Sequence, residues 1–110
     1  MKTEIKDALK KALNGEYSAV RKYSDFAIKA QEEGFPNIAY LFKALVFAEK
    51  IHIKNHENAL NEKFDPVLEK YEVKRTIVNL KSAFDGEVYE HKKMYPNLRK
   101  KIKSESTSKS

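Results

Sequence analysis

The stretch FAEKIHIKNHENAL at residues 47–60 carries Glu49, His52 and His56 at successive spacings of three and four. On a helix those spacings place a carboxylate and two imidazoles on one side. The apolar series Ile38, Leu41, Phe42, Leu45 and Ala48 points the same way. Glu16 continues a second apolar series (5, 9, 12/13, 16, 19/20, 23), and Glu87 continues a third (77, 80, 84, 87, 91, 94), with Glu90 three residues on. Burying an ionised carboxylate costs several kcal/mol even after relaxation. Protonation or a Lys or Arg partner can offset that cost, and a bound cation offsets it for several carboxylates at once. Oxygen-rich ligation with imidazole suits iron or manganese, and zinc could also occupy it. For any one of these residues the plainer reading is a surface side chain whose stem lies along an apolar stripe. Their recurrence at matching positions on three segments favours metal ligation.

Other residues stand at the edge of this pattern. Tyr23 and Tyr95 follow Glu16 and Glu87 by seven and eight residues, about two helical turns. They are either amphipathic core or phenols that hydrogen-bond and orient ligating carboxylates. His56 and His91 each lie one turn beyond a candidate ligand and are read as supporting groups.

These residues need helices to position them, and apolar residues recur at helical spacing in three blocks. The sequence predicts helices over about 3–33, 36–62 and 74–103. Gly34 suits a helix C-cap and Pro36 the first turn of the next helix. The third block runs Ile77, Leu80, Ala83, Phe84, Val88, Met94, Leu98 and Ile102. No segment alternates as a strand does, so the chain is all-α, a single domain over 1–103. Residues 104–110 have the composition of a disordered basic tail. A Glu from one helix facing Glu-x-x-His on another is how di-iron and di-manganese centres are built in bundle cores.

Composition narrows the chemistry further. The 110 residues include no Cys, which excludes disulfides, thiolate nucleophiles, iron–sulfur clusters and Cys-type zinc sites. No apolar run suggests a signal peptide or a membrane span, so a soluble cytoplasmic protein without membrane partners is expected. The net charge of +6 is local: residues 1–90 hold 15 basic and 15 acidic side chains, while 91–110 hold seven basic ones against Glu105. The tail lacks interleaved aromatics, which argues against nucleic acid as a partner.

Residues 9–23 (LKKALNGEYSAVRKY) and 80–94 (LKSAFDGEVYEHKKM) align at a shift of 71, pairing Leu9 with Leu80, Ala12 with Ala83, Gly15 with Gly86 and Glu16 with Glu87. The third helix is a second copy of the first. A second copy of FAEKIH would fall near 118–123, past residue 110.

Residues NGEYSAVRKYSDFAIKAQEEGFPNIAYLFKALVFAEKIH resemble the first helical hairpin of the rubrerythrins, within the ferritin-like superfamily, and NLKSAFDGEVYEHKKMYP resembles the start of their second. The resemblance covers about residues 5–62 and 77–103. It implies a four-helix bundle with a di-iron centre that reduces hydrogen peroxide, or one that oxidises Fe(II). Carried over by position, Glu16, Glu49, His52, Glu87 and Glu90 match metal ligands. Tyr23 and Tyr95 match the catalytic-site tyrosines that bond to those ligands. The family's rubredoxin-like domain and fourth helix have no counterpart here, so the resemblance implies a separate, rubredoxin-like electron donor. A homodimer, with helices exchanged as in some members, is expected to complete the bundle. Either two first hairpins pair, leaving Glu87 and Glu90 outside, or the third helix takes its family position. The alternatives are a non-catalytic metal-binding or assembly module with an incomplete site, and a ferritin-like iron-handling protein.

Overall fold

The chain, seen in a computed structural model that describes residues 1–108 (side chains through Ser104), folds into three helical rods. Helix α1 spans Thr3–Glu32 and α2 spans Pro36–Leu60. The third rod comprises α3 (Thr76–Tyr89), a π-helical turn (Glu90–Met94) and α4 (Tyr95–Ser108). There is no strand among the described residues. The last rod continues past residue 103, where the sequence placed a tail; Lys109 and Ser110 lie outside the described residues.

The α1–α2 turn closes as its residues dictate. Phe35 N–H donates to Ala30 O at 2.8 Å and Gly34 N–H to Gln31 O at 3.1 Å, the paired bonds of a Schellman cap. Gly34 sits at φ 83°, which a side chain would strain. Pro36 then opens α2, where its missing N–H leaves no helical bond unmade.

Residues 61–75 form the long crossover. They climb the flank of α1: Val67 N–H bonds Asn14 Oδ1 (2.8 Å), Glu69 N–H bonds Ser18 Oγ (3.0 Å), and the Tyr71 phenol bonds Asp25. At the top, Thr76 donates through both its N–H and its hydroxyl to Glu33 Oε1, each at 2.6 Å. Those two bonds hold the Glu33 carboxyl below its ordinary pKa. Asn79 accepts from Lys74 N–H and donates to Lys74 O. An extended chain of about ten residues spans roughly the 30 Å that twenty helical residues occupy, so the crossover returns the chain to the far end of α1. The third rod therefore descends antiparallel to α1.

Two apolar clusters result. Ala19, Tyr23, Phe26, Ala30, Ala39, Phe42 and Ala83 form one, with the Phe26 and Phe42 rings 5.5 Å apart and edge-on. Ile5, Leu9, Leu13, Ile53, Leu60 and Leu98 form the other. Glu16 and Glu49 lie between the clusters along their helices, and each is wholly buried.

Two expectations about the stripes need correction. On the third rod the buried face reads Thr76, Asn79, Ala83, Glu90, Met94 and Leu98, while Ile77 (63 % exposed) and Phe84 (67 %) face outward. The Asn79 and Thr76 bonds set that face one residue earlier than apolar periodicity suggests. On α2, Leu41 faces outward with Tyr40, Phe47 and Ile51. These residues make a second apolar stripe on a side that no helix covers among the described residues. No helix is long and apolar enough to cross a membrane among the described residues.

Candidate metal centre

Three helices deliver the carboxylates to one level of the bundle. Glu49, Glu87 and Glu90 each place a carboxylate oxygen within 4.8 Å of the others. Glu49 and Glu90 are buried and Glu87 is half-buried. Three anions this close cannot all ionise without a cation, because repulsion and desolvation both favour the protonated form. Burial first, then the charge of Glu87, raises the Glu49 pKa to about 7. Burial, then the charge of Glu49, raises Glu90 to about 10.

Glu16 forms the adjoining part of the site. Its carboxylate lies 2.9 Å from His56 Nδ1 and accepts a 2.7 Å bond from the Tyr95 phenol. His52 joins the two groups: its Nδ1 is 2.9 Å from Glu49 Oε1 and 3.3 Å from the Tyr95 oxygen. Tyr23 donates to Glu87 Oε2 and Ala83 O, both at 3.3 Å. Burial and the neighbouring carboxylates push the Tyr23 phenol far above its ordinary pKa. Burial and the bond to Glu16 do the same for Tyr95, so both remain proton donors.

The seven expected site residues, Glu16, Tyr23, Glu49, His52, Glu87, Glu90 and Tyr95, thus lie in one region, but not as one cluster. Glu49, Glu87 and Glu90 meet directly, whereas Glu16 pairs with His56 and Tyr95 beside them. His56, read as a supporting group, touches a candidate ligand directly; its i+4 spacing from His52 and its place seven residues after Glu49 were the signal. His91 is exposed, with its ring 5.8 Å from that of Tyr95. The π turn was not foreseeable from periodicity. Its i to i+5 bonding turns Glu90 and Tyr95 toward one face, where a regular helix would set them about 140° apart around the axis.

A metal ion fits this arrangement on a test internal to the structure. Among the described residues, the buried side-chain atoms left without a hydrogen-bond partner are Glu49 Oε2 and Glu90 Oε2. Buried polar atoms almost always find partners. A cation held among these carboxylates would satisfy both oxygens.

The helical bundle with its internal carboxylate–histidine layer has the ferritin-like fold. The chain belongs to the rubrerythrin family, whose model matches residues 7–110. It is 42% identical over 106 residues to nigerythrin of Nitratidesulfovibrio vulgaris, covering 92% of this chain and 52% of that protein. It is 39% identical over 94 residues to rubrerythrin-2 of Clostridium acetobutylicum, covering 82% of this chain and 51% of the relative. The structure of nigerythrin in a partially reduced state superposes with a TM-score of 0.86 at 35% identity, over 96% of this chain and 54% of the other. The chain spans about half the length of the relatives it matches.

Proposed function

We propose that this protein holds a di-iron centre on Glu16, Glu49, His52, Glu87 and Glu90, and reduces hydrogen peroxide there. The pair of buried oxygens on Glu49 and Glu90 without a hydrogen-bond partner carries the reading, since one cation between the carboxylates would satisfy both. Bound ferrous iron would supply electrons and Lewis acidity for splitting the O–O bond.

The chain's own residues do the rest. Glu16 is held from two sides, by His56 and Tyr95, which fixes the direction of its carboxylate. Tyr23 holds Glu87 in the same manner. Both phenols keep their protons at neutral pH, so each can stabilise negative charge by hydrogen bonding. The two apolar clusters lie on either side of the site along the bundle and lower the local dielectric there. Reduction of one peroxide to two waters consumes two protons and two electrons, and the electrons come from a separate donor protein.

A second copy of the chain is proposed to cover the open side, where Tyr40, Phe47 and Ile51 of α2 and Ile77 and Phe84 of α3 are exposed. Equilibrium sedimentation showing only a monomer would remove that part. The catalytic reading is tested by loading the protein with Fe(II) anaerobically and following peroxide consumption with a reductant. Two irons and turnover support it; metal without turnover leaves the non-catalytic metal-binding module, and one zinc or no metal rejects the di-iron centre.

A further inference from the structure

A cleft of about 330 Å3 opens between α1 and α3 and shares no lining residue with the groove beside the histidines. Lys11, Lys22 and Glu69 stand among its lining residues, together with Gly15, Gly86, Tyr23 and Glu90. A Cβ added at Gly15 would lie 3.9 Å from Glu90 Oε1 and Met94 Sδ, and one at Gly86 would lie 3.5 Å from the Tyr23 oxygen. These are ordinary contacts, so close helix packing does not demand glycine at either place. Glycine within a helix is also less favourable than alanine. What both glycines preserve is open space in front of Glu90 and Tyr23. They occupy equivalent positions of the internal repeat, each just before a carboxylate.

Glu90, only 6 % exposed, lines this cleft, and its Oε1 is the carboxylate atom that faces Gly15. Lys11 and Lys22 balance Glu69 and Glu90 in the cleft lining, so its charge does not bar neutral molecules or small anions. We infer that this cleft is the approach by which small peroxides reach the Glu90 side of the centre, and that Gly15 and Gly86 set its size limit. Hydrogen peroxide passes and bulky organic hydroperoxides do not. The substrate assignment rests on the reading proposed above.

The test uses two probes. Azide is mixed with the cobalt(II)-loaded protein and its binding followed in the visible spectrum; hydrogen peroxide and cumene hydroperoxide are mixed separately with the ferrous-loaded protein. Gly15→Leu should slow both azide binding and peroxide oxidation by about tenfold or more, with helicity and cobalt stoichiometry unchanged. Ala59→Leu, in the histidine-lined groove, should leave both rates as they are. Wild-type protein should discriminate against cumene hydroperoxide. Unchanged rates in a metal-replete Gly15→Leu protein, or slowing by Ala59→Leu instead, overturn the route. Should Gly15→Leu fail to fold, Gly15→Ala and Gly86→Ala carry the test, since their added methyls meet only ordinary contacts; both must slow azide measurably. If wild-type protein binds azide but consumes no peroxide, the substrate assignment falls and the azide rates still decide the route.

Discussion

Glu49 and Glu90 lie together in the core, where burial and the neighbouring carboxylates favour the protonated carboxyl. A carboxyl with a raised folded pKa favours the fold most below its unfolded value, and that contribution is lost as pH rises through the folded one. Here the window runs from the ordinary 4.5 up to about 7 for Glu49 and about 10 for Glu90. The melting temperature of chelator-treated protein should therefore fall as pH is raised through this window, and Glu90→Gln should flatten the decline. A rise in stability with pH would show that these groups ionise freely. Metal affinity should move the other way, strengthening with pH as cation displaces proton. Tyr95→Phe removes the 2.7 Å bond that orients Glu16. By analogy with other ligand-orienting partners, it should weaken metal binding roughly 10- to 100-fold, measured by competition with a chromophoric chelator.

At the scale of the element, the start of α3 sets everything downstream. Asn79 is buried and satisfies both the N–H and the C=O of Lys74, while Thr76 ties the same turn to Glu33 at the end of α1. Asn79→Ala leaves two backbone groups short of partners and should cost about 1–3 kcal/mol in denaturant unfolding. A value near zero would mean that water replaces the amide. The three helices, the Gly34–Pro36 turn and the Glu49–His52 pair were legible in the sequence because 3.6-residue periodicity and cap chemistry are local. Leu41, Ile77 and Phe84 were misjudged because periodicity cannot tell a face buried by this chain from one left for a neighbour. The phase of the third rod was hidden as well. It depends on Asn79 and Thr76, polar residues that periodicity counts as surface, and on a π turn with no sequence mark.

For the whole molecule, the internal repeat and the open face belong together. The third rod repeats α1 and sits against it, so Glu87 and Glu90 reach Glu49 within one chain, and a pairing of two first hairpins is not needed to bring carboxylates together. The outward faces of α2 and of the third rod display Phe47 at 68 % exposure and Phe84 at 67 %. Phe47→Glu should abolish self-association in sedimentation while leaving helicity intact; an unchanged association state would place the contact elsewhere. Beyond these, the central claim is that five side chains hold two metal ions. Mass spectrometry of ferrous-loaded protein under non-denaturing, anaerobic conditions tests it most directly, alongside Glu49→Ala and His52→Ala. Two irons per chain are expected in the wild type, with loss of iron in both variants. One iron or none in the wild type, or full loading in Glu49→Ala, would contradict it.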